Sequence, residues 1–175
     1  DRSAAYDFVA DKFHTKLTGY KANKLSLAAR LTLITSVFAS IPVYYMSNIL
    51  FSRKLVAKLT AIIRNFWWTG IKEEPTTKTI CLRAWKDICI PKCEGGLGIR
   101  NIQAMNRGLI LSAAWRIAEN PDSFLSKVLK SKYHPDTSIW RANSSIPKSA
   151  FWSSILKVRH ILCSNSFIQI LDGNS

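Results

Sequence analysis

Acidic residues are scarce in this chain. Eleven Asp and Glu stand against 25 Lys and Arg in 175 residues, a formal net charge of +14 at pH 7. An excess of that size repels itself and favours a polyanionic partner. It also argues against a typical metabolic enzyme, whose carboxylates supply acid, base and metal-binding chemistry. Glycine and proline are few, at seven and six, which excludes collagen-like and low-complexity classes. The four cysteines, Cys81, Cys89, Cys93 and Cys163, fit no secreted disulfide spacing, so reduced thiols in an intracellular protein are expected. The opening Asp1-Arg2-Ser3-Ala4 has neither an initiating Met nor a basic-then-apolar leader, and reads as the start of a processed or incomplete chain. What the sequence does have is core material. Hydrophobic residues make up 47%, with six Trp, five Tyr and eight Phe, enough for about one domain and against general disorder.

The charges are unevenly placed. Between Lys12 and Lys72 there is no Asp or Glu, yet Lys12, Lys16, Lys21, Lys24, Arg30, Arg53, Lys54, Lys58, Arg64 and Lys72 all fall there. An acid-free basic segment is the electrostatic footprint of phosphate-backbone binding. A solvated helix face is the plainer alternative, and ten cations without internal counter-charge favour a nucleic acid or an anionic membrane.

Within that segment Leu31 to Ser52 carries no formal charge over a length that could span a bilayer. Hydroxyls at Thr32, Thr35, Ser36, Ser40 and Ser47, together with Pro42 near the middle, weigh against a membrane helix and predict two shorter ones. Leu27, Leu31, Ile34 and Phe38 have the spacing of a helix stripe packed on a core.

The remaining pattern is mostly helical. Ala5, Phe8, Val9, Phe13 and Leu17 share a face of a first helix ending at Gly19. Ser26 caps a second helix, Pro42 begins a third, and Ser52 caps a fourth that carries Leu55, Leu59, Ile62, Ile63 and Phe66 on one side. The polar residues 72–78 form a connection. Thr79 to Leu82 reads as a short strand, and Trp85 and Ile88 anchor a brief helix or turn. The glycine-rich run Gly95-Gly96-Leu97-Gly98 lacks a following Gly-Lys-Ser/Thr and reads as a structural turn rather than a phosphate loop. Asn101 caps a long helix that Asn120-Pro121 ends. A short helix with Phe124, Leu125, Val128 and Leu129 follows, then a final one around Phe151 to Leu162. Phe167 to Leu171 resembles a strand before the turn pair Asp172-Gly173, so the chain is expected to stop inside a structural unit.

Catalytic patterns are missing. His14, His134 and His160 are scattered and read as surface residues. Cys89 and Cys93 are too few ligands for a closed zinc site. Glu73-Glu74 lies in a polar connection and reads as solvated charge. Two-metal phosphoryl transfer needs converging carboxylates, which the basic half lacks.

A series of short motifs then occurs in order: Leu17-Thr18-Gly19-Tyr20-Lys21, Leu25 to Ile34, Ile41-Pro42-Val43-Tyr44-Tyr45-Met46, and Phe66-Trp67-Trp68-Thr69-Gly70. Trp85, Cys89-Ile90-Pro91-Lys92, Gly95-Gly96-Leu97-Gly98, Trp115-Arg116, Asn120-Pro121-Asp122-Ser123, Lys132-Tyr133 and Trp152-Ser153-Ser154-Ile155-Leu156 follow. This series resembles the polymerase of plant LINE-type, non-LTR retrotransposons, in the stretch after the catalytic palm. Ala29 departs from it, since the family usually has Gly before the Arg, and Tyr20 replaces a common Trp.

The resemblance implies a mainly α fold, a helical thumb-like bundle followed by a helical linker, with one or two short strands. Residues 1–71 would be the basic thumb-like segment, 72–78 a connection, 79–162 the linker, and 163–175 the start of a truncated β unit. The family's metal-binding aspartates belong to the palm, and no Tyr/Phe-x-Asp-Asp box stands here to receive them. The chain is therefore expected to hold no catalytic residue, metal ligand or cofactor, although the parent polypeptide would be an RNA-directed DNA polymerase. Expected partners are RNA and DNA, held without sequence preference as primer–template or hybrid, and the parent's palm and zinc-binding segment. The expected location is nuclear. Lys12, Lys16, Lys24, Arg30, Lys54, Lys58 and Arg64 are the candidate phosphate contacts, with the uncharged run as core beneath them. An exposed Trp67 or Trp68 would stack on an unpaired base, although burial at a helix end is the favoured role for both. Two other readings stay open: a protein interaction module left from a retroelement, and a small basic membrane protein spanning 31–52.

Overall fold

The computed structural model describes residues 6–19, 25–70, 81–142 and 147–166. Eight α-helices follow one another among them: α1 (Asp7–Gly19), α2 (Leu27–Leu33), α3 (Val43–Met46), α4 (Arg53–Thr69), α5 (Trp85–Ile88), α6 (Ile102–Glu119), α7 (Phe124–Tyr133) and α8 (Ala150–Asn165). The mainly helical expectation holds. No strand occurs among the described residues, and Cys81 and Leu82, placed in a short strand by sequence, are irregular. The connection at 72–78 and the candidate strand at 167–171 lie outside the described residues. Helix α8 runs to Asn165, past the end expected at Leu162.

Local chemistry sets most helix starts. Ser26, Ser52 and Asn101 accept hydrogen bonds from the backbone N–H of Ala29, Leu55 and Ala104, as their positions predict. Ser123 and Ser149 do the same for α7 and α8.

Chain contacts divide the molecule into two compact units, 1–47 with 51–106, and 48–50 with 107–175. In the first unit α1 and α2 pack on α4. Phe13, Phe38 and Phe66 form a run of rings with centroids 5.6 and 5.5 Å apart. The apolar stripe expected at Leu27, Leu31, Ile34 and Phe38 is corrected: Leu27 is 55% exposed and α2 buries no residue. The buried positions are Ile34, Phe38, Pro42 and Met46. A π-helical turn follows at Ile34–Phe38, in which the Ala39 N–H donates to the Ile34 carbonyl. Thr32, Thr35 and Ser36 hydroxyls donate to carbonyls in the preceding turn, a competition that loosens an α-helix. The uncharged run is therefore broken, and no helix among the described residues is long and apolar enough to cross a membrane.

Asn106 holds the end of the broken run. It is 1% exposed. Its Oδ1 accepts from the Phe51 N–H and its Nδ2 donates to the Met46 carbonyl, both at 2.8 Å. The glycine-rich segment is a closed turn: the N–H groups of Gly96, Leu97 and Gly98 donate to the carbonyls of Pro91, Ile88 and Ile90. Those donors are spent on the chain itself, which is why no phosphate cradle forms.

In the second unit Ile110, Ala114 and Ile117 of α6 meet Leu129 and Tyr133 of α7 and Trp152, Ile155 and Val158 of α8. Trp152 stacks on Tyr133 at 5.1 Å and on His134 at 5.3 Å. His134, read from sequence as a surface histidine, is buried here. The Leu50 N–H donates to Ser154 Oγ, and the Arg159 guanidinium donates to the carbonyls of Ile139 and Ala142.

Candidate nucleic-acid interface

Helix α4 is amphipathic for a simple reason of spacing. Leu55, Leu59, Ile63, Phe66 and Trp67 are buried on one side, and Arg53, Lys54, Lys58 and Arg64 are exposed. Ile62, counted with the apolar side in sequence, is half-buried. Lys54 and Lys58 are one turn apart and lie on one stripe; Arg53 and Arg64 are three turns apart on the next. Together they cover about 16 Å of helix length at 1.5 Å per residue. No ion pair between described residues engages them, since the pair observed there is Lys127 with Asp122.

The placement of these cations opposes helix stability. The first turn of α4 holds no acid, and the last turn holds no base. Arg53 and Lys54 instead sit where the helix dipole is positive. Each cation there costs about 0.3–1 kcal/mol in an exposed helix. A local conflict of this kind is expected where function overrides stability, and cations at a helix N-terminus add to its attraction for anions.

The other candidates behave differently. Lys16 is exposed on α1, one turn beyond Lys12. The Lys12 ammonium donates to the Tyr45 hydroxyl at 2.8 Å and lies 5.5 and 5.3 Å from the ring centres of Phe8 and Tyr45. Arg30 is turned inward: its guanidinium donates to the Trp67 carbonyl at 3.3 Å, satisfying one of the last carbonyls of α4. Lys24 lies outside the described residues. The structure thus gathers Lys54, Lys58 and Arg64 on one helix and adds Arg53, which its spacing of eleven residues from Arg64 could have revealed. Tyr44 was also missed. Placed by sequence in the core run, it is 73% exposed and meets Tyr45 edge-on at 5.3 Å. Trp67 is buried and Trp68 half-buried at the end of α4, in keeping with the role favoured for them by sequence.

Among the described residues no three His, Cys, Asp or Glu side chains come together to hold a metal. None of the four cysteines forms a disulfide among the described residues. Burial pushes the Cys89 thiol above its ordinary pKa. Tyr133 is pulled the other way, because the Ser149 side chain, and then the Ser149 N–H, hydrogen-bond to its oxygen.

Two relatives give these features a context. A protein of Arabidopsis thaliana named for ribonuclease H, At1g65750, is 36% identical over 146 residues, 83% of this chain and 23% of that protein. The mitochondrial protein AtMg00310 of Arabidopsis thaliana is 33% identical over 135 residues, 77% of this chain and 86% of that protein. This chain therefore spans about a quarter of the first relative and most of the second. No protein-family model matches it, and no solved structure does.

Proposed function

Given that the chain belongs to the family of the Arabidopsis thaliana mitochondrial protein AtMg00310, we propose that it is a retroelement-derived module that grips nucleic acid by its phosphates. The proposal places it as the thumb and helical linker of a LINE-type RNA-directed DNA polymerase, working in the nucleus beside a palm and a zinc-binding segment. It assigns the chain no catalytic group and no cofactor. The similarity to one quarter of a larger protein named for ribonuclease H, an enzyme name that belongs to nucleic-acid chemistry, supports the reading.

The observation that carries it is the exposed face of α4, with Arg53, Lys54, Lys58 and Arg64 unpaired by acid among the described residues and two of them set against the helix dipole. Such a face positions a backbone without reading bases. Lys16 extends the charge along α1, while Arg30 is already spent on the Trp67 carbonyl.

The test is the salt dependence of duplex and hybrid binding by the chain and by its Lys54→Ala/Lys58→Ala/Arg64→Ala variant. Each phosphate contact contributes about 0.9 to the slope of log K against log salt. Loss of three contacts should flatten the slope by about 2.7 and weaken binding at low salt. An unchanged slope and affinity would remove α4 from the interface.

One observation favours a second reading, the protein interaction module. Phe124, Leu125 and Val128 on α7 are 84%, 48% and 42% exposed, more apolar surface than a short helix needs to show. Binding to a protein with no affinity for RNA or DNA would favour that reading.

A further inference from the structure

At the C-terminal end of α4 the first unit leaves a cavity of about 410 Å³, a volume typical of small-ligand sites. Trp67 and Trp68 form one side, Arg83 and Asp87 contribute opposite charges, and Leu97 of the glycine-rich turn adds an apolar surface. The cavity thus joins two of the sequence motifs, Trp67-Trp68 and Gly95 to Gly98, that the phosphate grip does not use.

Its chemistry selects a class of ligand. The two indole rings lie 6.2 Å apart at 65°. Both indole N–H groups are buried without a hydrogen-bond partner, and Trp67 is only 7% exposed. Those donors are closed off from the cavity, so polar recognition there falls to the Arg83 and Asp87 side chains that line it. A phosphate does not suit the site. The carbonyl end of α4 repels anions, and the turn's N–H groups at Gly96, Leu97 and Gly98 already donate to backbone carbonyls. A flat ring with carbonyl or ring-nitrogen acceptors does suit it, with the Arg83 guanidinium able to donate to those acceptors and the Asp87 carboxylate able to accept from an exocyclic amine. Arg64 stands one helical turn before Trp68, so a strand held along α4 passes the mouth of the cavity.

We propose that this cavity receives one unpaired nucleobase of the strand held on α4. The inference rests on the phosphate-grip reading, and its test separates the two.

The full chain is titrated, at fixed salt, with three duplexes of equal length: one blunt, one with a single-stranded overhang, and one whose overhang is abasic but keeps its phosphates. Base stacking on an aromatic side chain is expected to tighten the base-bearing overhang on the order of five- to a hundredfold over the abasic one. Trp68→Ala should abolish that preference, Trp68→Phe should keep most of it, and neither should alter the salt slope on blunt duplex. Trp68→Ala also removes packing, so 2-aminopurine placed in the overhang supplies a second readout on the native chain, with quenching on binding expected. Equal affinity for base-bearing and abasic overhangs, or unquenched 2-aminopurine, with salt-dependent duplex binding intact, overturns the cavity and leaves the grip standing. Absence of salt-dependent binding to any of the three overturns both.

Discussion

Replacing Asn106 is the sharpest test of how the first unit is held. Asn106→Leu keeps roughly the same volume and removes both polar atoms. The Phe51 N–H and the Met46 carbonyl then lose partners that now sit at 2.8 Å inside the fold. A buried polar group stripped of its partner costs about 1–3 kcal/mol. With two groups affected, the loss should be about 2–5 kcal/mol, large beside the 5–15 kcal/mol typical of a whole domain. At a urea m-value of about 1–3 kcal/mol/M, the midpoint of unfolding should fall by about 0.7–5 M. Amide hydrogen exchange reads the same event locally, because the Phe51 N–H should lose its protection first. Asn106→Asp separates shape from chemistry. Ionised, the carboxylate is buried and faces the Met46 carbonyl, so its folded pKa rises above the unfolded value of about 3.9. The stability of that variant is therefore fullest below the unfolded pKa and is lost as pH rises through the folded pKa. The Asp deficit should narrow on acidification, whereas the Leu deficit should not. A Leu variant within 0.5 kcal/mol of the native chain, with Phe51 still protected, would refute the reasoning.

Gly96→Ala should destabilise by about 3 kcal/mol or more in thermal unfolding, since an added Cβ would sit 1.9 Å from the Ile90 carbonyl oxygen and only backbone movement relieves it. Gly95→Ala meets no atom but must hold a positive φ of 87°, and should cost less, about 1–2 kcal/mol. Arg30→Met should leave the salt slope of nucleic-acid binding unchanged, because the guanidinium donates inward to Trp67; a flattened slope would return Arg30 to the interface. Near pH 8, iodoacetamide should label Cys93 and Cys163 before Cys89, whose half-buried thiol has a raised pKa. By the same sign, the contribution of the Cys89 thiol to stability is complete below its unfolded pKa of about 8.5 and falls away as pH climbs through the higher folded value. Equal labelling rates would contradict this.

What could be read in advance was local. Ser26, Ser52 and Asn101 cap helices because a side chain meets a backbone N–H three residues on, a relation contained in a few consecutive residues. The stop at Asn120-Pro121 and the outward cations of α4 have the same origin, in proline geometry and a period of 3.6. The acid-free run from Lys12 to Lys72 needs no structure at all. Even the break in the uncharged run was legible at Pro42, though the π-helical turn before it was not, since it depends on hydroxyls competing for carbonyls within the helix.

Burial was decided elsewhere. Leu27 and Tyr44 are as apolar or aromatic as their buried neighbours, yet they face outward, because the described residues that the fold brings together do not pack over them. His134 and Asn106 look like surface residues in sequence and are buried because Trp152 and the Phe51 backbone come to meet them from 18 and 55 residues away. Arg30 belongs to the basic segment by composition, but the end of α4, 37 residues on, claims its guanidinium. The sequence alone therefore determined the helices, their caps and the sign of the molecular surface, all set by near neighbours and summed charge. Only the tertiary structure decided which cations remain free for a phosphate and which indoles line a cavity, because each of those outcomes depends on partners that chain folding brings together.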